Sequence, residues 1–508
     1  MIAKYSMLAV YFGVLISLSY VASKRVSNLK DYFTGGKNLG FWVAAFSTQA
    51  TGESAWLLLG LTGMGAMIGV TAYWVVIGEV IGVAIAWFVM AKRFKGLTDQ
   101  YDSLTMTDFL ESRFRAKSHL LRFVASISLT IFVLIYISAQ IDATGSAFER
   151  FLGWDYHTGA IVGFVIVVVY CVMGGFLAVA WTDMFQGTMM LSCLVLLPIT
   201  AYFMLSGEDN ILRDLNAIDP TLTSLWGGHD HTLMGVMIIL GMLSIGLGYM
   251  GSPQIFARYI AIRDSAQLDK GKWVAVGFTF LVGVSAVSIG IIGRYIFTNA
   301  GVDPEGALGN GAQNVLPDLV DHTFPPLIVG IYAAAVLSAI MSTVSSLLIL
   351  AAGAVTHDVY QKVVNPELHG VDAARLSRAI TVVLAVLALA LALTVSFLSP
   401  SRTIFWFVIF GWSGIAATFC PMVILSLFWR EYTSTGAIAS MVVGFFSIPI
   451  CKFMMQNIDG VGAYFSALDA LPPAFLMSML AGYLVSKLLP DAQLAEIYNE
   501  DVNSIKSL

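Results

Sequence analysis

Apolar residues along this chain run in long stretches separated by short polar segments. A helix rises about 1.5 Å per residue, so about 20 apolar residues cross the hydrocarbon core of a bilayer. On that ruler the sequence predicts about thirteen spans. They lie at approximately 6–23, 39–63, 71–92, 121–146, 158–177, 183–206, 232–260, 273–297, 324–356, 376–398, 402–429, 433–454 and 468–489. The longest polar stretches, roughly 93–120, 207–231 and 298–323, leave no room for a sizeable soluble domain. The first run, Met7 to Val21, follows only Lys4 and precedes Ser23-Lys24-Arg25. No small-residue cleavage site follows it, so it reads as a span and not as a removed leader.

Composition agrees with a chain solvated by lipid. Hydrophobic residues are 58% of 508, charged residues 12%, and the mean hydropathy is +0.81. Soluble domains carry about 25% charged residues. The net charge of −5 implies no nucleic-acid partner. With the N-terminus outside and each span reversing sides, all but six of the 27 Lys and Arg fall inside. The exceptions are Lys4, Arg150, Arg213, Arg294, Arg402 and Lys452. That bias predicts an outside N-terminus, a cytoplasmic C-terminus and an odd span count. Cys171, Cys193, Cys420 and Cys451 show no metal-ligand or paired spacing and read as packing residues. No nucleophile elbow, Walker A loop or zinc-protease motif is present, so an enzyme is not expected.

Ionisable residues inside spans cost about 2.5–3.5 kcal/mol on insertion scales and mark function by default. Here they are Glu53, Glu79, Asp142 and Asp183, with Arg294 toward an end. Helix breakers cluster in two spans: Ala50-Thr51-Gly52-Glu53-Ser54, and Gly246 through Pro253. Glycine holds a helix poorly, and Pro253 cannot donate to the carbonyl four residues back. Unwound backbone offers carbonyl oxygens to a hard cation such as sodium, and two broken helices in corresponding halves point to a midplane site. The two halves would be 39–206 and 232–429, five inverted helices each. Extra spans at 6–23, 433–454 and 468–489 complete a single transporter domain, 1–508.

Several stretches resemble the solute:sodium symporter family, most closely its bacterial sodium/proline branch. They are Asp31 to Lys37, Ser54 to Gly60, Gly174 to Asp183, Leu247-Gly248-Tyr249 with Pro253 and Ala257-Arg258, Ala339 to Thr343, and Trp412 to Gly436. Their order across the chain is more specific than any one of them. The resemblance implies an all-α polytopic membrane protein of about 13 transmembrane helices, with an inverted five-helix repeat (LeuT-like) core. It implies residence in a bacterial inner membrane and sodium-coupled uptake of a small organic solute. The ion and the solute, within a lipid bilayer, are the expected partners. No obligate protein partner is evident, and sodium is the only metal expected.

The same resemblance implies a first sodium site from the carbonyls of Ala50, Glu53 and Ala339 and the hydroxyls of Ser342 and Thr343. It implies a possible second site from Asp183, Ser342, Ser345 and Ser346. The last three share one helical face. The expected solute pocket is Thr51, Gly52, Glu53, Ser54, Glu79, Gln140, Asp142, Tyr249 and Pro253.

The chain departs from the proline pattern. Gly52 stands where that pattern has aspartate, Glu53 where it has methionine and Ile245 where it has tryptophan. Glu79, Gln140 and Asp142 replace apolar residues or glycine. A pocket this acidic favours a solute bearing an ammonium group, an amino acid or a related amine, and it disfavours proline. The alternatives are proton coupling through Glu53, Glu79 or Asp183, and a transporter-like membrane sensor. The hydroxyls at 342 and 343 favour sodium over a proton, and the 490–508 tail is too short for a signalling domain.

Overall fold

The computed structural model describes residues 2–25, 29–116, 118–205, 210–368 and 370–506. Among them the regular structure is all helical, apart from one isolated bridge between Leu39 and Ile262. Backbone polar groups within a bilayer have no water to bond, so each apolar segment satisfies them internally as a helix.

The long elements are α1 (Ile2–Ser23), α2 (Phe41–Ala55), α3 (Tyr73–Ile85), α4 (Met106–Phe114), α5 (Leu120–Leu152) and α6 (Tyr156–Met204). After them come α7 (Leu233–Ser244), α8 (Pro253–Ala261), α9 (Ser265–Phe297), α10 (Pro326–Gly353) and α11 (Gly370–Leu398). The chain closes with α12 (Ile404–Phe428), α13 (Ser434–Phe453), α14 (Leu471–Leu488) and α15 (Ala492–Lys506). Eleven helical runs among the described residues are long and apolar enough to cross a bilayer. Two features separate that number from the expected thirteen. The run Phe41–Gln100 counts once, although its 60 residues are broken at Gly69 (φ +59°). Tyr156–Val172 is shorter than a full crossing and is divided from the rest of α6 at Gly175 (φ +61°). A Cβ at Gly175 would sit 2.7 Å from the Tyr32 ring, so this kink requires glycine.

Burial separates core from periphery. The most apolar windows of Pro326–Val364 and of α12 are 83% buried, whereas those of α1 and Asp372–Leu398 are 28% buried and turn their apolar sides outward. In lipid an outward apolar side chain costs nothing. The central α10 packs against α1, α2, α5 and α6. Its Ala- and Ser-rich sequence lets neighbouring backbones come close.

One end of the bundle is tied by charge. Arg122 pairs with Asp108 and Asp358, both at 3.2 Å, and with Glu111. His357 Nε2 lies 3.1 Å from Asp108. Arg115 and the Tyr101 hydroxyl hold Asp501 of α15 at 3.0 and 2.6 Å. Asp108, His357 and Asp358 converge closely enough to ligate a metal, but Arg122 already supplies the cation there. Sequence reading missed this cluster because its members are 250 residues apart.

Candidate functional site

Both expected breaks are present, and side chains from other helices hold each. In α2 the regular helix fails at Ser54 (φ +32°, ψ −163°), and a widened turn, Trp56–Leu61, follows. Gln140 of α5 accepts from the Ala55 amide at 3.0 Å and donates to the Ser54 hydroxyl at 3.3 Å. Tyr136 donates to the same hydroxyl at 3.3 Å. The second break tightens at Ile245–Tyr249 and turns at Gly251 (φ +152°), and Pro253 starts α8. Trp412 donates to the Ile245 carbonyl at 3.0 Å, and Ser252 to that of Gly248 at 2.5 Å. The carbonyls of Ile245 and Gly248 at the second break are therefore capped by protein. Pro253 lines a small cavity of about 40 Å³ with Arg258 and Ser346.

At the first break the carbonyls meet hydroxyls of α10. Ser342 Oγ lies 2.8 Å from the Ala50 carbonyl and 3.1 Å from that of Ala339. Thr343 Oγ1 lies 3.0 Å from the Thr51 carbonyl and 3.1 Å from that of Ala339. Ala50, Ala339, Ser342 and Thr343 are thus brought together across two helices, joined by the carbonyl of Thr51. The Glu53 carbonyl accepts from the Trp56 amide instead. Neutral hard oxygens in this number suit a small alkali cation. Each hydroxyl can turn its hydrogen away and offer a lone pair.

The residues of the second expected sodium site assemble around a different cation. Asp183 Oδ2 accepts from Ser47 at 2.6 Å and from Arg258 Nη2 at 3.1 Å. The same guanidinium reaches Thr51 at 2.9 Å, Ser47 at 3.1 Å and Ser346. Arg258 is 1% exposed and Asp183 fully buried, so the chain itself neutralises this carboxylate. Ser346 belongs to this cluster. Ser345 donates to the Ser342 carbonyl at 3.1 Å. The signal for Arg258 was a basic residue inside an apolar segment, just past Pro253.

The expected pocket residues separate into two groups. Thr51, Gly52, Glu53, Ser54, Glu79, Gln140 and Tyr249 are all buried about the first break. Tyr249 donates to Glu79 at 2.6 Å and packs on Trp412, with centroids 5.1 Å apart. A Cβ on Gly52 would lie 2.6 Å from the Tyr249 hydroxyl, so the tyrosine occupies the space of the missing side chain. Asp142 stands apart. It is held by Arg402 (Nε to Oδ2, 3.1 Å) and by the Tyr156 hydroxyl. There it lines a polar cavity of about 300 Å³ with Glu149, Gln313 and Arg402. Its charge is spent on Arg402, which the spacing of residues 142 and 402 could not reveal.

An all-helical membrane bundle with two broken helices, the first of them facing an oxygen-rich seam, is the architecture of a secondary transporter. The chain belongs to the sodium:solute symporter family, whose model matches residues 32–444. It is 34% identical over 459 residues to the high-affinity proline transporter PutP of Bacillus subtilis (strain 168), covering 88% of this chain and 93% of that protein. It is 32% identical over 493 residues to a sodium/proline symporter of Staphylococcus aureus, covering 95% and 92%. A Na+-coupled sialic acid symporter in a substrate-bound outward-open state has the same fold. Its TM-score is 0.75 at 18% identity, over 96% of this chain and 98% of that one.

Proposed function

We propose that this chain carries proline into the cell with sodium by alternating access. One observation bears most of the weight: the Ser342 and Thr343 hydroxyls meet the Ala50 and Thr51 carbonyls at the α2 break. Sodium at that seam would tie α2 to α10, and its loss would let them part. The solute would lie against the broken helices, beside Gly52, Ser54 and Tyr249. Sodium and solute would each raise the other's affinity by the same factor, as linkage requires.

Proline replaces the earlier expectation of a different amine. That expectation rested on three extra acids and on the side chains missing at Gly52 and Ile245; two of the acids have protein partners, since Asp142 holds Arg402 and Glu79 holds Tyr249. Relatives named as proline transporters align over about nine-tenths of the chain. Proline also carries a charged nitrogen, so a remaining carboxylate is no obstacle. Sodium coupling is preferred to proton coupling because the seam is built from carbonyls and hydroxyls.

The test is labelled proline uptake by reconstituted protein. Accumulation should follow an inward sodium gradient and vanish when potassium replaces sodium. Sodium-driven uptake of another solute with no proline uptake would overturn the solute. Uptake indifferent to sodium would overturn the coupling. The proposed orientation predicts a silent periplasm-active reporter after Leu508, and a bright one would reverse it.

A further inference from the structure

Between the second break and α12 lies a chamber that the transport reading does not use. Its volume is about 210 Å³, and Met64, Met242, Ile245, Phe405, Ile409 and Ser413 wall it. The chain at 466–471 adds a further side. Five of those six side chains are apolar. Ser413 is the exception: it is 1% exposed, and its hydroxyl has no hydrogen-bond partner. A serine or threonine inside a membrane helix can donate to the carbonyl four residues back. Thr418 and Ser426 of the same α12 do so, to Gly414 and Met422, both at 2.7 Å. Ser413 does not, so its hydroxyl is left for whatever fills the chamber.

A dry apolar cavity of about 150 Å³ is enough for a benzene ring. This chamber has room for such a ring with one small substituent, and it offers that substituent one hydrogen bond. The occupant is uncharged. Asp469 also lines the chamber, but Lys452 holds it at 2.9 Å. A zwitterion such as proline would leave its charges unpaired there, which is costly. A lipid acyl chain has no polar group to meet Ser413. Trp406, another lining side chain, is 46% exposed, so one side of the chamber reaches the surface of the bundle. A ring that dissolves in lipid can enter there.

We propose that this chamber binds a small uncharged aromatic alcohol, with its hydroxyl on Ser413, and that the bound ring slows transport. The effect on transport rests on the alternating-access reading above; the binding does not. Three parts of the molecule meet at the chamber. Met64 lies beyond the first break, Met242 and Ile245 lead into the second, and Phe405, Ile409 and Ser413 belong to α12. Trp412, next to Ser413, already donates to the Ile245 carbonyl at 3.0 Å. A ring packed between these walls braces the second break against α12, so the two rock past one another more slowly.

The probe is 4-fluorobenzyl alcohol, followed by fluorine NMR with the purified full chain in detergent. Wild type should bind it saturably. Benzyl alcohol should displace it, and toluene, which lacks the hydroxyl, should do so at least about fivefold less well. Ser413→Ala should weaken binding about fivefold and bring the two competitors level. Ile409→Trp should fill the chamber and abolish binding. Met242→Trp, from the α7 wall, should do the same and guards against one variant failing to fold. In proteoliposomes the probe should lower the maximal rate of labelled-proline counterflow, which needs no ion gradient, and leave half-saturation by proline within about twofold. Binding that does not saturate, or that all three variants keep, overturns the proposal and leaves the symport reading intact. Displacement by phospholipid and not by benzyl alcohol would give the chamber to an acyl chain and also overturns it. Competition with proline, or counterflow unchanged at saturating probe, overturns the brace. Saturable binding by a chain that takes up no proline with sodium keeps the site and overturns the symport reading.

Discussion

Arg258 Nη2 lies 3.1 Å from Asp183 Oδ2, and both side chains are sealed from solvent. The pair joins α8, just beyond one break, to α6, while Ser47 and Thr51 of α2 and Ser346 of α10 complete its hydrogen bonds. Removing one partner of a buried pair leaves a bare charge and costs about 3–5 kcal/mol. Arg258→Gln should therefore lower the melting temperature in detergent, and adding Asp183→Asn should recover much of the loss. Arg258→Lys should fall between, because an ammonium cannot span three hydroxyls and a carboxylate with one fork. Arg258→Gln melting like wild type would remove the pair from the structural account.

Gly52 sets a second expectation. Alanine there would press on the Tyr249 hydroxyl at 2.6 Å and on its ring carbons at 2.9 and 3.0 Å. Gly52→Ala should cut uptake by about tenfold or more, because displacing the tyrosine also breaks its bond to Glu79. Gly277→Ala is the control: its Cβ meets nothing within 4 Å. It should change stability by no more than about 1 kcal/mol. Equal uptake by the two variants would mean that Tyr249 need not dock on Gly52.

The helical fold and both breaks were legible because lipid writes them into local composition: long apolar runs, glycine clusters and Pro253. The meeting of Ser342 and Thr343 with the α2 carbonyls was reached through family resemblance. The assignment of partners was not legible. Asp142 and Glu79 read alike as lone acids in apolar segments, yet one pairs with Arg402, 260 residues away, and the other with a tyrosine. Arg258 was visible as a residue but not as the cation of Asp183, because nothing local ties 258 to 183.

The ion-paired end of the bundle gives a prediction with a pH sign. Burial of Asp108 opposes ionisation, but the hydrogen bond and charge of His357, with Arg122 and Lys362, outweigh it and hold the carboxyl well below its usual range. A carboxyl depressed in the folded state adds stability above its ordinary value, about 4, and loses that contribution as pH falls through the folded value. Arg122→Gln should destabilise by about 3 kcal/mol near neutral pH. The gap from wild type should hold from pH 7 down to about pH 4 and narrow below that, as Asp108 protonates. Melting curves at pH 7 and about pH 3 with a constant gap would contradict it.

The proposed sodium seam is tested most directly at residues 342 and 343. Ser342→Ala with Thr343→Ala removes two hydroxyl oxygens from a group that otherwise consists of backbone carbonyls. Alanine is the best helix former, so α10 should persist and the protein should still reach the membrane. The carbonyls of Ala50, Thr51 and Ala339 would remain, but three oxygens surround a sodium ion poorly. Half-saturation by sodium should rise by about tenfold or more. Proline affinity measured at saturating sodium should move much less, because the solute would touch the break and not these hydroxyls. Each single variant should fall between wild type and the double. Keeping the hydroxyl while removing the methyl, as Thr343→Ser does on the otherwise intact chain, should keep nearly full sodium affinity, since the oxygen and not the methyl is the ligand. If the double variant reaches the membrane, takes up proline and shows unchanged half-saturation for sodium, the ion binds elsewhere. The seam between α2 and α10 would then be only a packing contact.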